Sequence, residues 1–390
     1  MPRRRICVVT GSRAEYGLLY WLLETLRSDE RVETQIVTTG MHLSPEFGLT
    51  ERQIAAEGFQ VAARVEMLLS SDTAVGVTKS LGLGVIGFAD ALERLKPEIV
   101  VVLGDRFEIL AAAQAAMLAR IPIAHIHGGE STEGAVDDAI RHAITKMAQL
   151  HFVAAEPYRR RVIQLGESPQ RVYDVGAPGL DYIKRAKLLA RGELELALGL
   201  PPGGAYFLVT YHSATLGERD PTQCMQQLLA ALDGFTSHRI VFTAPNADPG
   251  GRAMGAMVAD YVERHADRTR LFDSLGQLRY LSALAYADAV IGNSSSGLIE
   301  APALKVPTVN IGPRQAGRLR AESVVDCGED AAAITSAVRR VLEAGFRGRL
   351  KHAASPYGQG DAASKMAHIL ATVPLEDLQA KRFHDLETKQ

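Results

Sequence analysis

Between His125 and Lys146 the chain reads HIHGGESTEGAVDDAIRHAITK, which gathers three histidines, two glutamates, two aspartates and an arginine around a Gly-Gly turn. Side chains of these types move protons, ligate a metal, or line a solvated helix. Metal binding has the least support. His125 and His127 alternate on an apolar stretch and project to one face, but His142 lies on the following helix and no further His or Cys stands at ligand spacing. We therefore expect no metal. Asp137 and Arg141 are four residues apart, as are Asp138 and His142, so each pair shares a helix face. Exposed pairs of that kind contribute only roughly 0.3 to 0.5 kcal/mol. Asp137 gains interest because it opens its helix directly behind the glycine loop.

Such chemistry needs a scaffold that brings distant residues together, and the apolar patterning describes one. RICVVTG leads into AEYGLLYWLLETLRSD, where Leu19, Leu22, Leu23 and Leu26 fall on one helical face. The alternation returns at ETQIVTTG, at PEIVVVLGDR before FEILAAAQAAMLAR, at IPIAHIHGG before DDAIRHAITKMA, and at LHFVAAE before PYRRRVIQLG. Fully apolar strands alternating with helices predict a parallel sheet covered on both faces. At GAPGLDYIKRAKLLARGELELALGLPPGG the pattern breaks into helical, charged sequence that reads as a linker. A second series follows at AYFLVTYHSAT, SHRIVFTAPNAD, DAVIGNSSSG, VPTVNIGPR and SVVDCGED. The expected architecture is α/β, with two doubly wound Rossmann-like domains. Their predicted spans are 1–180 and 181–358, followed by a helical segment, DAASKMAHILATV, and a charged, frayed end over 359–390.

Ligands of open parallel sheets bind outside the carboxyl ends of the strands, where loops diverge and helices present unpaired N–H groups. The reactive side chains fall at those ends. The first series delivers Ser12, Arg13 and Glu15, then His42, then Asp105, Arg106 and Glu108, then the opening stretch with His127 and Glu130. The second delivers His212, Ser213 and Thr215, then Asn246, then Asn293 and the serines Ser294, Ser295 and Ser296, then Arg314 and Arg318. The triple serine can cap a helix, hold a phosphate, or both, and Pro302 shortens or kinks that helix. A helix dipole contributes roughly 0.3 to 1 kcal/mol to an exposed anion and about 2 when partly buried. A diphosphate would therefore need an arginine as well, with Arg314 and Arg13 as candidates. Neither a G-x-G-x-x-G nor a Walker motif is present, which removes support for a dinucleotide cofactor or a P-loop nucleotidase.

The whole chain sets the remaining bounds. Its 390 residues exceed what one core usually holds, and 47% hydrophobic with 23% charged residues is a soluble globular profile. A net charge of -2 with no basic run beyond Arg3 to Arg5 gives no reason to expect nucleic acid. Those arginines precede only ICVV, too short for a signal-peptide core, and no continuous apolar run suggests a membrane span. Cys7, Cys224 and Cys327 are few and far apart, which fits a reducing cytoplasm.

With these residues in place, the sequence resembles the UDP-N-acetylglucosamine 2-epimerases, and most closely their hydrolysing branch, which makes N-acetylmannosamine for sialic-acid-type sugars. The resemblance runs in order through GSRAEYG, TGMHLS, GDRFE, HIHGGE, DDAIRHAITK, NSSSGLIEAP and IGPRQAGR. It implies a GT-B arrangement with an active-site cleft between the domains and a C-terminal helix returning to the first. It implies a nucleotide-sugar substrate, no cofactor, and a homodimer or homotetramer. By motif, Arg13, His212, Asn246, Ser294, Ser295, Glu300 and Arg314 would hold the nucleotide diphosphate, with Glu300 on the ribose. Ser213 and Arg252 join that substrate-binding set. His42, Asp105, Arg106, Glu130, Asp137 and Arg141 would surround the sugar. Where many family members carry a glutamate in the strand-end triplet, this chain has His127, so the identity of the base stays open.

The chemistry so implied is elimination of the diphosphate from C1 as a base removes the C2 proton, followed by hydration of the resulting 2-acetamidoglucal. Asp105, Glu130 and Asp137 are the expected proton-handling groups, with His212, Arg141 and the other arginines easing charge onto the leaving group. The leading expectation is a hydrolysing UDP-N-acetylglucosamine 2-epimerase. A variant acts on a UDP- or GDP-linked 2,4-diacetamido-trideoxyhexose of legionaminic-type pathways. The rivals are a non-hydrolysing epimerase, a GT-B glycosyltransferase and a non-enzymatic sugar-nucleotide sensor.

Overall fold

The computed structural model describes residues 3–71, 73–132, 136–212, 220–244, 251–376, 378 and 380–386 of the chain. It divides into two compact units, each built on an all-parallel sheet. The first takes Met1–Glu130, Val136–Asp181 and Gly360–Gln390, and Tyr182–Gln359 make the bulk of the second.

In the first unit the strands are β1 (Arg4–Thr10), β2 (Val32–Thr39), β3 (Val61–Val65), β4 (Ile99–Leu103), β5 (Ile123–Ile126), β6 (Leu150–Val153) and β7 (Val172–Asp174). Its helices are α1 (Arg13–Arg27), α2 (Glu51–Ala56), α3 (Ala74–Leu95), α4 (Phe107–Leu118), α5 (Val136–Met147) and α6 (Glu156–Gln164). The spatial order is β3-β2-β1-β4-β5-β6-β7. Alternate residues of each strand feed opposite cores, as the pleat requires. Ile6 and Val8 join Leu19, Leu22, Leu23 and Leu26 of α1, while Cys7 and Val9 join Phe88, Leu92 and the alanines of α4. Strands β3 and β7 add to those expected from sequence. Both are short and carry exposed residues, so neither shows the continuous apolar run that marks the others.

The link runs through α7 (Gly179–Arg185) and α8 (Arg191–Ala197). The second unit has β8 (Tyr206–Thr210), β9 (Arg239–Thr243), β10 (Thr269–Phe272), β11 (Ala289–Gly292), β12 (Thr308–Ile311) and β13 (Val324–Cys327), in the order β10-β9-β8-β11-β12-β13. Its helices are α9 (Pro221–Asp233), α10 (Gly251–Arg264), α11 (Gly276–Tyr286), α12 (Ser296–Ala303), α13 (Ala331–Leu342) and α14 (Ala344–Leu350). Here too the pleat divides the core, with Phe207 and Val209 on one side and Tyr206 and Leu208 on the other.

The final helix, α15 (Ala362–Thr372), belongs to the first unit and buries Met366 and Leu370 against α1, where Arg4 donates to the Leu370 carbonyl at 2.7 Å. Two features differ from the sequence reading. Helix α3, whose apolar run is broken by Lys79 and Ser80, is nonetheless long and apolar enough by length and composition to cross a membrane. It packs Gly84, Phe88 and Leu92 into the first unit while Val75, Leu83 and Ile86 face outward. The charged end expected to fray is tied down through Lys381 and His384.

Candidate functional site

The order of each sheet reverses between its first strand and the strand beside it. That switch point, β1/β4 in the first unit and β8/β11 in the second, is where loops part to admit a ligand. Both switch points hold the polar side chains singled out by sequence.

After β1, Ser12 caps α1, its hydroxyl accepting from the Glu15 N–H at 3.3 Å, while the Glu15 carboxylate accepts from the Gly11 N–H at 2.7 Å. This reciprocal capping places Glu15 against the loop that follows β4. There Arg106 donates from Nε to Glu108 at 2.6 Å and lies 3.7 Å from Glu15. Both carboxylates are buried, and among the described residues Glu15 Oε1 and Glu108 Oε2 have no hydrogen-bond partner. Burial, with Glu108 close by, pushes the Glu15 carboxyl up to about 8. One arginine thus serves two buried acids, an arrangement that favours the protonated form of Glu15.

Strands β4 and β5 pair through Leu103 and Ile126, so their loops emerge side by side. The ladder runs one residue further, with Gly104 N–H donating to Ile126 and His127 N–H to Phe152, both at 3.0 Å. His127 then adopts a left-handed backbone, φ +67°, which non-glycine residues enter at a cost of about 1 to 3 kcal/mol. The turn aims its ring back along the loop, where Nδ1 bonds the Glu130 carboxylate. Gly129 completes the turn at φ +78°, and a Cβ there would lie 2.4 Å from the Tyr158 carbonyl. From α5, the buried Arg141 donates to the Glu130 carbonyl at 3.0 Å and to the Asp105 carboxylate, with Asp138 at 3.7 Å. Asp105, Glu130, His127 and Arg141 therefore form one connected group.

The remaining residues of the sugar set occupy different settings. His42 is fully buried, its ring held between Thr10 at 3.0 Å and Thr50 at 2.8 Å, and burial pulls it down to about 4. It is a neutral brace beneath the first loop. His125 is likewise buried and pulled down to about 3, with Nε2 on the Gly104 carbonyl at 2.8 Å and Nδ1 on the Thr145 hydroxyl at 3.1 Å. A carbonyl only accepts, so Nε2 carries the hydrogen and Nδ1 accepts from Thr145. Asp137 is exposed in the first turn of α5, and Arg13 is exposed in the first turn of α1.

In the second unit, Asn293 grips the backbone of His212 from both sides, accepting from its N–H and donating to its carbonyl, each at 2.8 Å. The Asn293 carbonyl accepts in turn from Arg314 at 3.1 Å and Gln315 at 2.8 Å. The loops after β8, β11 and β12 are thereby fastened together. Burial, assisted by Arg314, pulls His212 down to about 4. The close approach depends on Gly292, at φ +140°, where a Cβ would stand 1.9 Å from the Thr210 carbonyl. Ser295 precedes α12 without a side-chain cap bond, and the Ser294 hydroxyl accepts from the Ser296 N–H at 3.4 Å. Pro302 lies near the end of this eight-residue helix, with the half-buried Glu300 before it. Ser213 and Asn246 lie outside the described residues, as does the side chain of Arg252, whose backbone is in α10.

Chemically, the first unit offers buried carboxylates, a histidine and arginines suited to moving protons. The second offers an arginine, a histidine and serines at a helix start, suited to an anionic group. Among the described residues no group of three His, Cys, Asp or Glu is arranged to hold a metal. The UDP-N-acetylglucosamine 2-epimerase family model matches residues 24–371. The chain belongs to that family. A Campylobacter jejuni relative named GDP/UDP-N,N'-diacetylbacillosamine 2-epimerase (hydrolyzing) is 42% identical over 326 residues, 84% of this chain and 85% of its own. Its Legionella pneumophila counterpart, named for the UDP-linked sugar, is 35% identical over 372 residues, 95% of this chain and 97% of its own. These place the chain in the hydrolysing branch of the 2-epimerases. The crystal structure of UDP-GlcNAc 2-epimerase from Neisseria meningitidis bound to UDP-GlcNAc superposes with TM-score 0.78 at 18% identity, covering 94% of this chain and 99% of that one. The 2-epimerase fold, two Rossmann-like units of the GT-B type, is thus shared.

Sequence reasoning placed Glu15 and Glu108 at the strand ends but gave neither a role and did not pair them. The signal was present in GSRAE and GDRFE, whose glutamates follow the two strands flanking the switch point.

Proposed function

We propose that the protein is a hydrolysing 2-epimerase of a nucleotide-linked 2,4-diacetamido-trideoxyhexose, releasing the nucleoside diphosphate and the C2-epimerised free sugar. The observation that carries the substrate is the gradient of identity. Relatives named for diacetylbacillosamine stand at 42% and 35%, whereas the Neisseria meningitidis relative named UDP-N-acetylglucosamine 2-epimerase stands at 30%. UDP-N-acetylglucosamine, the first expectation from sequence, becomes the second reading.

In the proposed reaction a base takes the C2 proton, the C–H electron pair becomes the C1–C2 double bond, and the C1–oxygen bond breaks toward the diphosphate. Water then adds at C1 while C2 receives a proton on the opposite face. Asp105, Glu130 and Asp137 are assigned the proton steps, with His127 on Glu130 and Arg141 on Asp105 orienting two of them. Arg106 contributes positive charge beside them. Arg13, His212, Ser213, Asn246, Arg252, Ser294, Ser295, Glu300 and Arg314 are assigned to the nucleotide diphosphate. His42, held between Thr10 and Thr50, is assigned to the sugar side as a support of the first loop.

The outward apolar face of α3, with Val75, Leu83 and Ile86 at helical spacing, is assigned to a second copy of the chain. Light scattering on the parent and on Ile86→Glu tests this, a monomer in both cases being the contrary result. The assigned compartment is the cytoplasm, where nucleotide sugars are made. The substrate is tested by kcat/KM for UDP-N-acetylglucosamine and for UDP- and GDP-linked diacetylbacillosamine. The diacetamido sugar is expected to lead by about tenfold or more, and a lead for UDP-N-acetylglucosamine would reverse the assignment.

A further inference from the structure

Helix α5 carries Arg141 toward Asp105, and its far end is held by a residue well over two hundred positions away. The Lys381 ammonium donates to the carbonyls of Lys146 and Ala148 at 2.6 Å and of Thr145 at 3.4 Å, and pairs with Glu167 at 2.8 Å. These carbonyls lie at and just beyond the C-terminal end of the helix, where few backbone donors remain and only Thr145 also accepts, at 3.2 Å, from the Ala148 N–H, and a cation there also meets the negative end of the dipole. Glu167 gathers Lys146 at 2.6 Å and His151 at 3.0 Å as well. Burial works to raise its carboxyl, and the bonds from His151, Lys146 and Lys381 overcome it and draw it down to about 2. The Phe383 ring sits over Gly166 and 5.0 Å from the Lys146 ammonium, and the His384 N–H donates to the Gly166 carbonyl at 2.9 Å.

The contacts continue toward the site. Thr145, whose carbonyl faces Lys381, bonds His125 through its hydroxyl, and His125 bonds the Gly104 carbonyl immediately before Asp105. Both ends of the Asp105–Arg141 pair therefore trace back to the same turn of α5. We propose that Lys381 is a positioning residue, capping α5 so that Arg141 and the Gly104–Asp105 turn keep their mutual register. This rests on the reading of that pair as part of the reactive group.

The test uses the full-length chain as Lys381→Met and Lys381→Arg. In Lys381→Met, amide hydrogen exchange over residues 141–148 is expected to accelerate about tenfold. There kcat should fall about tenfold while KM and UDP affinity hold, and Lys381→Arg should restore most of the rate. Unchanged exchange, or faster exchange with unchanged kcat, would overturn the proposal, as would an equal loss of UDP affinity. If Lys381→Met does not fold, Phe383→Ala, at an exposed ring that packs over Gly166 beside the cap, replaces it, with the same changes expected and the same results counting against the cap. The exchange measurement needs no substrate, so a parent protein that turns over no nucleotide sugar would count against the proposed function and leave the cap to be judged on exchange.

Discussion

Arg141 of α5 donates to the Asp105 carboxylate at the end of β4 and, through its other terminal nitrogen, to the Glu130 carbonyl. One buried guanidinium thus ties together two loops that emerge beside each other from a parallel sheet. The carboxylates it organises are those assigned to proton transfer. Asp105→Asn keeps the shape but removes the charge, and is expected to lower kcat by about 10²- to 10⁴-fold with little change in UDP affinity. Glu130→Gln should do the same, since it removes the carboxylate that His127 holds. Near-normal turnover in both variants would contradict the assignment.

Nucleotide binding should follow the second unit. Arg314 helps fasten the loops after β11 and β12, and it is the cation assigned to the diphosphate. Arg314→Ala should weaken UDP binding by roughly tenfold to a hundredfold, the range for a charged hydrogen bond of about 1.5 to 3 kcal/mol. Titration calorimetry with UDP reads this directly, and an unchanged Kd would remove Arg314 from the diphosphate.

Gly292 tests the packing beneath that loop. At φ +140°, with the Thr210 carbonyl 1.9 Å from any Cβ, Gly292→Ala must move backbone rather than a flexible side chain. A loss of roughly 2 to 4 kcal/mol in urea unfolding is expected. A loss within about 0.5 kcal/mol, the range of ordinary surface changes, would mean the loop is more yielding than its geometry implies.

Glu15 makes a pH prediction with a definite sign. Its carboxyl lies near 4.5 in the unfolded chain and is raised to about 8 in the folded one by burial and by Glu108. The folded state therefore binds the extra proton, and its stabilising contribution is complete below about 4.5 and lost as pH rises through about 8. Relative to Glu15→Gln, which can still accept from the Gly11 N–H, the parent should lose on the order of 1 to 3 kcal/mol between about pH 5 and about pH 9. Parallel stability curves for the two proteins would show that Glu15 folds already ionised.

Much of this was legible in the chain itself. Strands such as IVVVL and YFLVT are buried on both faces, so their composition alone marks them, and the polar residues behind them had to lie along one sheet edge. Strands β3, β7 and β10 escaped because VAARV, VYD and TRLF mix polar and apolar residues in too few positions to carry a period. Within the site, the i,i+4 spacing pointed Arg141 toward Asp137, yet its side chain reaches Asp105, a partner set by strand order rather than by helix geometry. Lys381 was invisible for the same reason. A charged tail looks solvated until the fold supplies the open end of α5 for it to cap.

Hydrolysis with epimerisation at C2 is open to a direct test by proton NMR in D₂O with UDP- and GDP-linked diacetylbacillosamine and, alongside, UDP-N-acetylglucosamine. Free nucleoside diphosphate is expected, together with a free C2-epimer carrying deuterium at C2. An epimer still attached to its nucleotide, or release of a sugar that keeps its C2 proton, would contradict the proposed reaction.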